Sequence, residues 1–198
     1  MTMARPRTVS DQSILEAVGR AVARLGPAAV GVRDVAAESG LAASTLMQRF
    51  GSRHQLLRSF AEVRARRGSD AFEGSKAENG SDPLETLEKA LVGAIAPDVT
   101  PEAAAHLLAL DQLLLSEPDF REHAAQQARQ VRRGIRRLLK KAVKKKLLRP
   151  KTDTRALART LQLTLHGCVA SWSLYRRRSL QAWVRREVRA TLAVHRRR

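Results

Sequence analysis

Apolar positions along the chain recur at the spacing of amphipathic helices. In the first such segment they fall at intervals of one, three and four residues, and Ser10 or Asp11 can cap the helix. We expect Gly26-Pro27 to end it, because proline cannot continue a helix. The residues of its predicted buried face are Ile14, Leu15, Val18, Ala21, Val22 and Leu25.

Three more helices are predicted before residue 68. Two short segments cover Val32 to Ser39 and Ala43 to Phe50, and Gly40 stops the first of them. The fourth helix opens after Ser52, which forms a capping-box pattern with Gln55. The residues expected to face inward in the second short segment are Leu46, Met47 and Phe50.

The rest of the chain also follows helical spacing. Glycine, serine and asparagine are concentrated in residues 68–82, which predicts a loop or frayed helix end and a domain boundary. Five helices are then predicted, beginning after Asp82, Thr100, Pro118, Asp153 and Ser179. Because no alternating pattern indicates strands, we expect an all-α protein with about nine helices.

Charge points to the kind of partner. The 198 residues carry a formal net charge of +18 and a sequence pI near 11.5. A polyanion is therefore the expected partner, and DNA is the commonest one. A generic basic surface, an RNA or a membrane surface remain open on charge alone.

Several classes of protein are disfavoured. A single cysteine, Cys168, cannot form an intramolecular disulfide, which favours a reducing cytoplasm. No signal-like or membrane-spanning apolar run is found, so no membrane partner is expected. No glycine-rich phosphate loop or metal-ligand spacing of histidines occurs, and His166 points away from Cys168 on a helix. We expect no enzymatic activity, no cofactor and no metal.

Residues 32–57 are the most informative stretch. They predict a helix, a tight turn containing Gly40, a second helix and then a capped third helix. The short turn forces the two short helices to cross steeply, and Ala36, Leu41 and Leu46 are spaced to fill their junction. This arrangement is a helix-turn-helix, whose second helix enters the major groove of DNA.

Residues 10–65 resemble the TetR family of transcriptional regulators. The matching residues are Val32-Arg33-Asp34-Val35-Ala36, Gly40-Leu41, Thr45-Leu46, Phe50-Gly51-Ser52-Arg53 and Leu56-Leu57. The chain departs from the family at four positions of this segment, where members commonly have Ser or Thr, Lys, an aromatic residue and His. Those positions are Ala42, Ala43, Met47 and Arg49.

The resemblance implies a set of DNA-binding residues. Those expected to face the groove are Ala43, Ser44, Thr45, Gln48 and Arg49. Arg49 could donate two hydrogen bonds to a guanine edge, and Gln48 could pair with adenine. Arg33 and Arg53 are expected to hold phosphates. Arg5 and Arg7 are expected to reach the minor groove or the backbone; ordinary solvated faces are the alternative for all these arginines.

The resemblance also implies two domains. Residues 1–67, with a flexible basic arm at 1–9, would bind DNA, and residues 68–198 would sense a ligand and dimerise. Polar candidates for ligand contact are His106, Asp111, His166, Trp172 and Tyr175. Candidates for the dimer interface are Leu157, Leu161, Leu165, Trp172, Leu180, Val184 and Val188.

These expectations combine into one predicted function. The protein is expected to be a homodimeric repressor that a small, largely apolar effector releases from double-stranded DNA. The alternative is a basic architectural DNA-binding protein that needs no ligand.

A cationic stripe follows one face of the long helix predicted between residues 119 and 148. It can be a solvated face, a second contact surface for DNA or another polyanion, or a membrane-surface helix. Its members are Arg129, Arg132, Arg133, Arg136, Arg137, Lys140, Lys141, Lys144 and Lys145.

Overall fold

Nine α-helices build the part of the chain that the computed structural model describes, residues 9–73, 81–176 and 178–197. They are α1 Asp11–Leu25, α2 Val32–Ser39, α3 Ala43–Phe50, α4 Arg53–Glu73, α5 Pro83–Gly93, α6 Pro101–Leu114, α7 Pro118–Lys144, α8 Thr154–Tyr175 and α9 Leu180–Ala193. Within these ranges the chain forms no strand, only an isolated antiparallel bridge between Leu148 and Arg196. The predicted all-α fold of about nine helices is confirmed.

Local capping signals set where most helices begin. The Ser10 side chain accepts a hydrogen bond from the backbone N–H of Ser13, and the Thr100 side chain caps α6 in the same way. Asp82 and Asp153 cap α5 and α8 through their carboxylates. Proline occupies the first turn of α5, α6 and α7, where its missing N–H costs no hydrogen bond.

One hydrophobic cluster joins the N-terminal helices to the middle of the chain. The buried faces of α1, α2, α3 and α4 form most of it, as the apolar spacing predicts. Leu110 and Leu114 of α6 and Phe120 of α7 complete the cluster, and all three side chains are almost fully buried. The helix-turn-helix unit therefore rests on α6 and the start of α7.

A second cluster lies between α5, α7, α8 and α9. Phe72, near the end of α4, belongs to it and packs against α7 at Gly134. A Cβ atom at Gly134 would lie 2.5 Å from the Phe72 Cβ, so the glycine is what allows α4 and α7 to approach so closely.

Three predictions about local structure need correction. Met47 is 40% exposed, because Leu46 alone of α3 turns fully into the core. The loop predicted from residue 68 begins later, since α4 continues as a helix through Glu73. The long helix predicted to Leu148 ends at Lys144, and Lys146 adopts a positive φ of 59°. Residues 74–80 of the predicted loop lie outside the described residues.

The predicted dimer residues lie mostly inside the protomer, and their place in a dimer interface stays a prediction. Six of the seven side chains are buried within the single chain, and Leu165 is half-buried. The six are Leu157, Leu161, Trp172, Leu180, Val184 and Val188. They form the inner faces of α8 and α9, which pack against the rest of the protomer.

Candidate nucleic-acid interface

The turn between α2 and α3 fixes the recognition helix. Gly40 takes the left-handed conformation, with φ 69° and ψ 20°, which glycine adopts without steric cost. The backbone N–H groups of Gly40 and Leu41 both donate to the Ala36 carbonyl. Val35 and Leu46 are buried on either side of the turn, and their packing orients α3 against α2.

The outward face of α3 is polar and open to solvent. Ser44, Gln48 and Arg49 are exposed on it, as predicted for groove-facing residues. Met47 joins this face and was missed, although its position one turn after Ser44 gives the signal. Ala43 and Thr45 are half-buried. The roles of these residues toward DNA remain predictions.

Arg49 is held against the start of α1. Its Nη1 donates to the Val9 carbonyl at 2.7 Å, and its Nη2 lies 2.5 Å from the Asp11 carboxylate. These contacts tie the end of the recognition helix to the segment where the N-terminal arm enters the fold. A base contact by Arg49 therefore requires the side chain to leave Asp11.

Arg53 is used inside the protein. Its guanidinium donates to the Val30 carbonyl at 2.6 Å and also to the Pro27 and Ala28 carbonyls. It thereby ties the first turn of α4 to the connection between α1 and α2. In this arrangement the Arg53 donors are occupied by backbone carbonyls rather than by a phosphate. Arg33, the other predicted phosphate contact, is exposed to solvent.

Two ion pairs reinforce the packing of α1 on α2. Arg20 and Arg24 of α1 both reach Glu38 of α2, each at 3.2 Å. The predicted minor-groove arginines, Arg5 and Arg7, lie outside the described residues.

The structure scatters the predicted ligand-binding residues. Trp172 is buried and donates its Nε1–H to the Arg178 carbonyl, whereas Tyr175 is exposed and stacks on Trp183. His166 of α8 keeps part of its surface exposed, but burial lowers the pKa of its imidazole, and the Asp111 carboxylate of α6 lies close enough to oppose that shift. These three residues therefore do not line a common cavity.

Two other ligand candidates face the interior, where they have partners. His106 places Nδ1 2.9 Å from the Ala23 carbonyl, and its ring covers Gly26, so it links α6 to the end of α1. Asp111 of α6 pairs with Arg64 of α4.

Further polar groups lie on α4 and α7. Ser69 is buried and donates to the Gln127 side chain at 2.8 Å. Two buried nitrogens, Arg64 Nε and His123 Nε2, have no hydrogen-bond partner among the described residues. Sequence patterns gave no signal for these residues, because they lie apart along the chain.

Comparison with known proteins identifies the family. Residues 14–60 match the family model for "Bacterial regulatory proteins, tetR family", and residues 115–188 match the model for "Tetracyclin repressor-like, C-terminal domain". The chain belongs to the TetR family of transcriptional regulators. The protein is thus a DNA-binding transcriptional regulator. Its helix-turn-helix consists of α2 and α3, as the sequence predicts.

Solved structures share the fold over almost the whole chain. A TetR transcription regulator from Haloarcula marismortui is 17% identical with a TM-score of 0.78, covering 94% of this chain and 98% of that one. PfmR from Thermus thermophilus is 18% identical with a TM-score of 0.69, covering 91% and 97%. The fatty acid degradation regulator FadR from Bacillus halodurans is 22% identical with a TM-score of 0.66, covering 92% and 98%. No curated protein matches the sequence.

Among the described residues, no helix is both long and apolar enough to cross a membrane. No group of three or more His, Cys, Asp or Glu side chains among them is arranged to hold a metal ion. One surface cleft of about 250 Å³ lies between α7 and α8, and it is lined by Arg132, Asp153, Arg155, Ala156 and Arg159.

Proposed function

We propose that the regulator is a homodimeric repressor that reads duplex DNA through α3 and is released by a small, largely apolar ligand. The observation that carries the proposal is the solvent-open face of α3 with Ser44 and Gln48, beside which Arg49 is held by Val9 and Asp11. Side chains of this kind read base edges in the major groove. One eight-residue helix gives little affinity, and two related helices spaced by one DNA turn restore it.

An apolar stripe supports the dimer. On α8, Leu163 and Leu174 are 61% and 72% exposed, and exposed Gly167 and Ala170 lie between them along the same face. Val194, just beyond the end of α9, is 65% exposed. Large apolar side chains aligned on one helix face mark an interface rather than a solvated surface.

The oligomeric state tests this assignment. Leu174→Glu would bury a carboxylate in the interface, so we expect the variant to sediment as a monomer and to lose most of its duplex affinity. Leu113→Glu is the matched control, because Leu113 is 53% exposed and belongs to α6 rather than to the stripe on α8. An unchanged dimer in Leu174→Glu would reject α8 as the interface.

The ligand part of the proposal rests on the polar groups inside the bundle. Arg64 Nε and His123 Nε2 are desolvated without a partner, which costs free energy that a ligand's polar end could recover. Both hydrophobic clusters include side chains of α4 and α7, the helices that carry these two groups. We therefore propose an amphipathic ligand with one hydrogen-bonding end, and its entry would require α4 and α7 to separate.

Two measurements test the repressor. DNA sites selected from random sequence should bind at least about a thousandfold more tightly than scrambled duplexes at about 150 mM salt, and Arg49→Ala should remove the preference. Medium-chain fatty acids and the matching alcohols then serve as ligand probes, and release of the selected site by either series supports ligand control. If the protein binds the selected site specifically but no probe releases it, the proposed amphipathic ligand is rejected and sequence-specific DNA binding is retained.

The large positive charge favours a second candidate, an architectural protein that binds any duplex. Equal affinity for selected and scrambled duplexes would support this candidate and reject the repressor.

A further inference from the structure

The far end of α7 carries a dense group of unpaired cations. Lys140, Lys141 and Lys144 are exposed, and none of them forms a hydrogen bond or ion pair with another described side chain. Like charges three and four residues apart on a helix repel one another, so this arrangement lowers the stability of α7 slightly. The three lysines nevertheless lie within about one turn of α7.

The C-terminal segment adds more positive charge at the same place. The Arg149 N–H donates to the His195 carbonyl at 2.9 Å, and the Arg197 N–H donates to the Leu147 carbonyl at 3.2 Å. These bonds fold the segment after α9 back onto the connection after α7. We call the six exposed cations gathered here the distal basic surface: Lys140, Lys141, Lys144, Lys146, Arg149 and Arg196.

Carboxylates near the distal basic surface are already engaged in helix caps. Asp153 accepts from the backbone N–H groups of Arg155 and Ala156, which lowers its pKa. Asp82 caps α5 beside Ser81, whose carbonyl accepts from Lys145 Nζ. Neither carboxylate forms an ion pair with a cation of the surface, so these two groups do not neutralise its charge.

The distal basic surface is far from the helix-turn-helix. Phe120 of α7 packs in the N-terminal cluster, and the 24 residues from there to Lys144 extend about 36 Å along the helix axis. This separation makes the distal basic surface a contact site distinct from α3.

A duplex fits the surface better than a membrane does. Membrane-surface helices need exposed apolar side chains that enter the bilayer. Beside the lysines, Leu147 exposes only part of its surface and Leu148 is fully buried. We infer that the distal basic surface binds the phosphate backbone of a second DNA duplex, so that one regulator bridges two DNA segments. The recognition is of backbone charge and carries no sequence preference.

A bridging assay on the full chain tests the inference. One duplex is fixed to beads, protein is bound at about 100 mM salt, and capture of a second, fluorescent duplex of unrelated sequence is measured. The test variant combines Lys140→Gln, Lys141→Gln and Lys144→Gln. The control variant combines Arg66→Gln, Lys89→Gln and Arg178→Gln, which removes three exposed charges elsewhere. Circular dichroism confirms that each variant is folded.

We expect the test variant to lose capture by on the order of tenfold or more, because each lost phosphate contact flattens the salt dependence by about one power of the salt concentration. Binding of the first duplex through α3 should stay within about threefold of wild type in both variants. Equal capture by the test and control variants would overturn the inference, as would a wild-type protein that captures no second duplex. Tighter binding to vesicles containing anionic lipid than to the second duplex would assign the surface to a membrane and would also overturn it.

Discussion

Replacing Gly134 by alanine sets two effects of known sign against each other. In a helix interior the change favours folding by about 1 kcal/mol, because alanine loses less backbone entropy than glycine. The new Cβ, however, would lie 2.5 Å from the Phe72 Cβ and 2.9 Å from its Cγ. Comfortable carbon contacts are about 3.5–4.0 Å. Because both Cβ atoms are fixed to their backbones, no rotamer change can relieve the clash.

The overpacking term should therefore win. Forcing extra atoms into a filled core typically costs about 1–3 kcal/mol, and a clash between Cβ atoms is at the upper end of that range. After the helix gain, we expect Gly134→Ala to lower the free energy of unfolding by about 1–2 kcal/mol. For a chain of this size the melting temperature should fall by about 2–8 °C.

Gly68→Ala is the matched control for this experiment. Gly68 lies inside α4, and a Cβ there would meet nothing within 4 Å, so only the helix gain applies. Thermal unfolding followed by circular dichroism should show the two variants shifting in opposite directions. If Gly134→Ala also raised the melting temperature, α4 and α7 would not approach as closely in solution as the structure shows.

Further predictions concern three individual side chains. Arg53→Gln should lower the free energy of unfolding by about 1–3 kcal/mol in urea titrations and weaken duplex binding, because three backbone carbonyls lose a charged donor; unchanged stability would contradict this role. Asp11→Asn should tighten duplex binding in anisotropy titrations by up to about fivefold, because Arg49 leaves a surface ion pair more easily; weaker binding would mean that Asp11 positions Arg49 for DNA. Burial raises the pKa of the Cys168 thiol from its ordinary 9.0 to about 11, so at pH 8 its reaction with a disulfide reagent should be on the order of a hundredfold slower than in the unfolded chain. The same shift contributes stability below about pH 9 that is lost as the pH rises through 11.

Local signals carried most of the sequence prediction. Helix starts at Ser10, Asp82 and Thr100 were predictable because a capping side chain bonds to backbone N–H groups only two or three residues away. The helix-turn-helix was also predictable from a local signal, since a glycine between two short helices readily adopts the left-handed conformation that Gly40 has.

Periodicity could not separate core from interface. α8 is apolar on two sides, with Leu161 facing the protomer core and Leu163 facing out, and spacing alone cannot rank them. The uses of Arg49 and Arg53 were equally hidden, because their backbone partners lie 23 to 40 residues away along the chain. A pattern read along one helix contains no information about such partners.

The cluster shared by α1–α4 with Leu110, Leu114 and Phe120 bears on how such regulators can be recombined. A chimera joined at residue 67 would take the DNA-reading helices away from these three side chains. At about 1.5–3 kcal/mol for each buried side chain, the loss is about 5–9 kcal/mol, which equals the whole stability of many small domains. Helices α1–α4 moved onto another regulator would therefore need compatible side chains at these three positions of that protein. Exchange of DNA specificity between such regulators thus depends on residues outside the helix-turn-helix.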